Sequence, residues 1–402
     1  MAAEKDLMLK GLKVIDLTNN LAGPCTAMLM AERGAEVFHI ERPGRGDDSR
    51  KLIPVVDGLG GTMFMWANHD KKSVALDLKD KRAVELLYRM AKDADVLIES
   101  YRPGVLDKLG LGYDKIKEIN PKIIYCSVSA FGHRGPNSSK PGYDIIAQAY
   151  SGIIQRTGEP DGDPVKIGPP IGDYVGALNA YGSVMTALFY RSLTGKGQYI
   201  DVALARGLYW MNNAFNYPTL GEKNLRTGSF APDIAPYGIF RGKNGGMIIA
   251  AGNQNLWEKL ANLMGAPELI TCPDFADMQS RVENKLKLRD VIEAWLHTFE
   301  DVNEACGLID KAGIPASPIC DSTYMYKDPH AVECGWVKDI GVSKGMTSIK
   351  DFPGPIGLSD YSESADPIVA PAPALGEHNY EVMKRYGMTD EEIEACLKDW
   401  NS

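Results

Sequence analysis

With 402 residues, 44% of them hydrophobic, the chain has enough apolar material for two domains, or for one large domain with an inserted lobe, which excludes disorder as a description of the whole. A formal net charge of −9 at pH 7 argues against nucleic acid or an anionic membrane surface as a general partner, so an anionic ligand needs a local basic pocket. Seven cysteines with no Cys-x-x-Cys pair fit a reducing cytoplasm, and with neither a signal-like N-terminus nor a bilayer-length apolar run, no export and no membrane span are expected.

Along the chain, Leu12-Lys13-Val14-Ile15-Asp16-Leu17 predicts a buried strand. A Gly/Pro loop follows, from which Pro24 opens a helix reaching about Arg33, with Gly34 as its C-cap. Ala35 to Ile40 predicts a second strand. The pattern recurs where a helix around Arg82 to Lys92 leads into Val96-Leu97-Ile98, and again at Ile123 to Val128. Such repetition argues for an α/β fold with a parallel sheet.

After Asp173 a small-residue-rich segment, Gly176-Ala177-Leu178-Asn179-Ala180-Tyr181-Gly182, predicts a helix to about Arg191. Thr194-Gly195-Lys196-Gly197 stops it, and a strand at Tyr199 to Leu204 comes next. Composition turns polar near Gly221 to Asp233. Beyond it, strands such as Met247 to Ala250 mix with helices around Trp257, Glu283 to Thr298 and Val302 to Lys311, which predicts a smaller α+β domain at 225–325. The chain closes on an amphipathic helix from Asp390 to Lys398, with Thr389 as N-cap and Glu392 placed for a capping box.

The first strand and loop, with Glu41 after the second strand, invite a dinucleotide reading. The glycine fingerprint is missing from Asn19-Asn20-Leu21-Ala22-Gly23-Pro24, and Pro24 removes an amide a pyrophosphate would use. Walker A, His-Glu-x-x-His, Gly-x-Ser-x-Gly and clustered Cys/His patterns are missing too, so no bound nucleotide cofactor and no metal are expected. Read alone, Asp173 in Gly168-Pro169-Pro170-Ile171-Gly172-Asp173 is a helix N-cap.

A set of motifs changes that reading. Asp16-Leu17, Ala22-Gly23-Pro24, Ile40-Glu41-Arg42-Pro43-Gly44-Arg45-Gly46-Asp47, Lys72 to Leu78, Tyr101-Arg102-Pro103-Gly104, Gly172-Asp173, Thr194 to Gln198 and Ala374-Leu375-Gly376-Glu377-His378 together resemble the family III CoA-transferases, which include formyl-CoA transferase, carnitine CoA-transferases and bile-acid-inducible CoA-transferases. The resemblance covers nearly the whole chain. It implies a large Rossmann-like domain built from residues 1–200 and 326–402, a linker at 201–224, the small domain at 225–325, and an interlocked homodimer.

The resemblance also implies that Asp173 is a nucleophile that takes up CoA as an aspartyl thioester while CoA moves from an acyl-CoA to a free carboxylic acid. CoA is then a substrate rather than a permanently bound cofactor. The start of a helix at Asp173 would favour its ionised form. By the same resemblance, Asn20, Leu21 and Ala22 border the thioester, and Arg42, Leu76, Lys79, Tyr101, Arg102 and Lys108 occupy nucleotide and phosphate positions. Arg42 and Arg102 each stand beside a Pro-Gly turn; Lys79 and Lys108 taken singly read equally well as solvated helix positions. Leu21 stands where formyl-CoA transferase has a glutamine, leaving backbone amides as the fallback for an oxyanion. Residues Gly228 to Gly238 lack that enzyme's run of glycines. Phe64, Tyr143, Phe230 and Tyr237, with Leu21, are candidates to line an acyl pocket.

Two alternatives share the scaffold. α-Methylacyl-CoA racemases carry Gly-His-Asp where this chain has Gly142-Tyr143-Asp144, and tyrosine is a poor base at neutrality. His133, in Phe131-Gly132-His133-Arg134-Gly135-Pro136, reads as a surface or phosphate-proximal loop residue rather than a substitute base. A non-catalytic acyl-CoA-binding protein would not require Gly172-Asp173. For the acids, the Asn19 to Pro24 loop resembles transferases of anaerobic bacteria acting on 2-hydroxy acids such as 2-hydroxyisocaproate or phenyllactate; bile acid, carnitine and small dicarboxylate acceptors stay open.

Overall fold

Runs of β-branched and aliphatic residues without alternation suit strands covered on both faces, and six of them form one parallel sheet. In the computed structural model, which describes residues 7–56, 60–212, 221, 226–340, 349–351, 354–356 and 370–400, the chain opens with β1 (Lys13–Leu17), α1 (Ala22–Ala31) and β2 (Glu36–Glu41). A small hairpin of β3 (Val55–Val56) and β4 (Gly60–Gly61) follows, then α2 (Thr62–Ala67), β5 (Lys72–Ala75), α3 (Lys81–Asp93) and β6 (Val96–Glu99). Next come α4 (Val105–Lys108), α5 (Tyr113–Ile119), β7 (Ile124–Ser129), α6 (Asp144–Tyr150), α7 (Ile153–Arg156), α8 (Ile171–Thr194), β8 (Gln198–Ala203) and α9 (Leu204–Met211).

The sheet order is β5-β2-β1-β6-β7-β8, with all neighbours parallel. The chain winds outward from β1 in one direction and from β6 in the other, so the crevice between their carboxyl ends is the switch point where α/β sheets bind ligands. One face of the sheet packs on α3, α4, α5 and the C-terminal helices, through Leu86, Leu87, Met90, Leu106, Ile116, Val382 and Ile393. The other packs on α1, α8 and α9, through Ala27, Met30, Ala180, Val184, Leu204 and Leu208.

The chain forms two units. The first comprises Met1–Ile153, Lys166–Ala214 and Tyr326–Ser402; the second comprises Ile154–Val165 and Phe215–Met325. Residues 201–211, read from sequence as the start of a linker, are the end of β8 and helix α9, and 213–220 and 222–225 lie outside the described residues. The second unit has its own antiparallel sheet of β9 (Tyr237–Arg241), β10 (Gly246–Ala250) and β11 (Ala316–Pro318), and its own core around Trp257, Phe240, Leu288 and Ile309.

The C-terminal return is tied into the first unit at the sheet edge. Asn379 Oδ1 accepts from the Ala75 amide at 2.6 Å, and the Trp400 indole donates to Asp80 at 2.9 Å. The last helix, Asp390–Trp400, carries the expected capping box: the Thr389 amide donates to Glu392 at 2.8 Å, and the Glu392 amide donates to Thr389 Oγ1 at 3.2 Å. Among the described residues no helix is long and apolar enough to cross a membrane.

Candidate active site

The first loop is held open by a buried polar stack. Lys71 Nζ, fully buried, donates to Asp16 Oδ2 (2.9 Å), Asn68 Oδ1 (2.9 Å) and the Pro24 carbonyl (2.8 Å). His39 bridges Asp16, at 3.0 Å, and Asp47, at 3.4 Å. Asp47 Oδ1 in turn accepts from the Ser49 amide at 2.7 Å and from the Asn20 amide at 3.2 Å. Asn20 therefore stays in the left-handed region, φ 69°, which asparagine tolerates better than most residues. Burial works against charge on Asp16 and His39. Lys71 and His39 nevertheless hold the Asp16 carboxyl far below its ordinary range, and Asp16 and Asp47 lift His39 to about 9.

Across the crevice, the turn after β6 is fixed by Glu99. Its Oε2 accepts from the Tyr101 amide at 2.8 Å, and Ser100 Oγ accepts from the Asn19 amide at 3.1 Å, joining the two sides of the switch point. Burial raises the Glu99 carboxyl to about 7. His133, read from sequence as a surface or phosphate-proximal loop residue, is half-buried: its amide donates to both oxygens of Asp201 (2.9 and 3.0 Å), and Nε2 lies 3.5 Å from Glu99.

Small residues let the chain pack closely around the starts of α1 and α8: a methyl on Gly23 would meet Thr18 of the preceding loop at 2.4 Å, and one on Gly176 of α8 would meet Leu204 of α9 at 2.3 Å. The N-terminal turns of both helices reach a cavity of about 260 Å³, which is lined by Asn20, Leu21, Ala22, Tyr101, Arg102, Tyr143 and Asp173. Asn19, quoted with its loop but given no role, shares the lining, as do Asp48, Ser100 and Lys140, which the motifs missed. Arg42 lies exposed on an adjoining cleft of about 150 Å³, with Tyr101 between the two.

Asp173 is the third residue of α8, and its cap position is Pro170, so Asp173 is not the N-cap. Nor is its carboxyl made more acidic: burial, reinforced by the charge of Asp144, pushes it up to about 7. The first-turn amides of α1, beside Leu21, Ala22 and Gly23, lack intrahelical partners and can serve an oxyanion.

Other sequence candidates fall elsewhere. Phe64 is fully buried, with the Arg50 guanidinium 3.6 Å above its ring, and does not line the cavity. The Leu76 side chain belongs to the sheet core, while Lys79 and Lys108 are exposed beyond β5 and at the end of α4. Phe230 and Tyr237 belong to the second unit, Phe230 edge-on to Phe240 at 5.5 Å and Tyr237 at the start of β9. Among the described residues no group of His, Cys, Asp and Glu is arranged to hold a metal ion.

The family model for CoA-transferase family III matches residues 9–379. Succinyl-CoA:glutarate CoA-transferase of Mus musculus is 36% identical over 95% of this chain and 87% of its own length. Acetyl-CoA:oxalate CoA-transferase of Acetobacter aceti is 36% identical over 94% of this chain and 95% of its own. The crystal structure of a CAIB/BAIF family protein from Brucella suis superposes with a TM-score of 0.85 at 34% identity, covering 95% of this chain and 100% of that one. A doubly wound sheet, a cavity at its switch point and a match across almost the whole length lead to one conclusion: the chain belongs to CoA-transferase family III and is a CoA-transferase.

Proposed function

We propose that the enzyme moves CoA from an acyl-CoA to a dicarboxylic acid through a thioester on Asp173. The observation that carries this reading is the place of Asp173, partly buried in the first turn of α8 on the wall of the switch-point cavity. A carboxylate oxygen of Asp173 attacks the acyl-CoA carbonyl carbon, the C–S bond breaks, and CoA leaves as thiolate. The thiolate then attacks Cγ of the resulting anhydride and expels the donor acid, leaving CoA on Asp173. An acceptor carboxylate repeats the two steps in reverse. No proton is consumed overall and thioester energy is retained, so the missing phosphate-binding loop is consistent with the chemistry.

Arg42, Tyr101 and Arg102 along the two clefts are assigned to CoA, as are exposed Lys79 and Lys108 and the backbone at Leu76. Asn20, Leu21 and Ala22 border the thioester carbonyl. Arg102 and Lys140 supply the cationic charge that phosphates or a second carboxylate require. The preference for dicarboxylates rests on the names of the relatives, which act on succinyl-CoA with glutarate and on acetyl-CoA with oxalate. Tyr143 is assigned to the acyl side of the cavity.

We also assign the enzyme to the cytoplasm, in keeping with seven free cysteines, and to an interlocked homodimer. In favour of the dimer, α8 and α9 expose Phe189, Leu193, Tyr209 and Trp210. The test of substrate class is an exchange assay with succinyl-CoA or acetyl-CoA as donor. Glutarate, succinate and oxalate are expected to accept CoA faster than 2-hydroxyisocaproate or phenyllactate. Acceptance confined to the 2-hydroxy acids would overturn the dicarboxylate assignment, and solvent deuterium entering next to the thioester without transfer would favour a racemase.

A further inference from the structure

Glycine at 172 is not there for backbone freedom, since it lies inside α8 with an ordinary φ. What it permits is an approach. Asp144, the first residue of α6, places Oδ1 2.6 Å from the Gly172 amide, which donates to it. A methyl on residue 172 would stand 2.8 Å from that same oxygen and 3.1 Å from Leu208. The other oxygen, Oδ2, accepts from Gln148 Nε2 at 2.7 Å, and Gln148 Oε1 accepts from the Ile167 amide at 3.0 Å. Gln148 is 1% exposed. Two side chains one helical turn apart on α6 thus grip both ends of the segment 167–172 that delivers Asp173 to the cavity.

We propose that Asp144 is a positioning residue for CoA transfer, fixing the first turn of α8 through Gly172 and, as a like charge, making Asp173 readier to become a neutral anhydride or thioester. This rests on the covalent reading of Asp173 given above. Ionised Asp173 and ionised Asp144 repel, and the repulsion disappears when Asp173 is converted to an anhydride or a CoA thioester. In the free enzyme burial is the main cause of the raised proton affinity of Asp173, and the charge of Asp144 adds to it. The remaining charged and titratable groups around the pair leave that repulsion in place. Cys25 of α1 is held protonated by burial, Tyr174 is pushed up by burial, and α9 presents apolar Leu204 and Leu208. Tyr143, Arg102 and Lys140 line the cavity beyond them.

The experiment is the rate of adduct formation at Asp173 from an acyl-CoA donor, followed by intact mass as a function of pH, in wild type, Asp144→Asn and Gly172→Ala. Asparagine keeps an oxygen for the Gly172 amide and removes the charge, together with the acceptor that Oδ2 offers Gln148 Nε2. Its acid limb is expected to move down by about one pH unit and its plateau rate to fall roughly tenfold. Gly172→Ala, which displaces the same carboxylate from the other side of the contact, is expected to move the limb in the same direction. A wild-type adduct with an unshifted limb in both variants would overturn the proposal alone. No wild-type adduct at any pH would remove the covalent reading of Asp173, and this proposal with it.

Discussion

Two residues separate Asp173 from Pro170, the cap position of α8, and that offset decides its chemistry. A capping aspartate is neutralised by amides, whereas here burial and Asp144 push the carboxyl up to about 7. The reactive form is the carboxylate, so its population falls as pH drops through about 7, and the rate of transfer is expected to fall with it in a pH-rate profile. Asp173→Asn, isosteric but not nucleophilic, is expected to lower kcat by roughly 10³-fold or more without unfolding the protein. Asn20 offers a separate check: Asn20→Ala forces alanine into φ 69° and is expected to cost about 1 kcal/mol in a denaturant titration, whereas Asn20→Gly is not. The Gly172-Asp173 pair was legible because its residues are adjacent. Asp144 was noticed only as part of Gly142-Tyr143-Asp144, and its contact with Gly172, 28 residues on, depends on how α6 packs against α8.

At the scale of elements, the strands were legible because buried parallel strands are continuous apolar runs, and each observed strand of the sheet overlaps its expected segment where one was drawn. Helix α1 begins at Ala22, before Pro24, because a proline is tolerated anywhere in a first turn whose amides have no intrahelical partner. The buried stack beneath that helix was not legible. His39, Asp47, Lys71 and Asp16 come from four segments; the parallel register of β1 on β2 pairs Asp16 with His39, and that of β2 on β5 brings in the chain at Lys71. Lys71→Met is expected to cost about 3–5 kcal/mol by leaving Asp16 buried with less compensation, measured as a fall in the denaturant midpoint. Phe64 shows the converse limit: an aromatic residue near a motif gives no sign of which side of α2 it will occupy.

At the scale of the whole molecule, buried histidines tie distant segments together. His69 sits between Glu32, 3.4 Å away, and Asp70, 3.1 Å away, and Glu32 also accepts from the Gly354 amide at 2.8 Å. Burial alone would lower His69 and His39; their carboxylate neighbours outweigh it and raise both from 6.5 to about 9. The stability these imidazoliums contribute is therefore fully present below pH 6.5 and is lost as pH rises through about 9. The melting temperature is expected to fall over that window, and His69→Gln to flatten part of the fall. The excursion of Ile154–Val165 into the second unit was not legible, since no motif marks it. The central claim, that CoA is carried on Asp173, is tested most directly by intact and peptide mass spectrometry of the enzyme mixed with succinyl-CoA. The account expects a CoA adduct on the peptide containing Asp173, converted by hydroxylamine to a hydroxamate and missing from Asp173→Ala; transfer of CoA to an acceptor by the Asp173→Ala variant at the wild-type rate would contradict it.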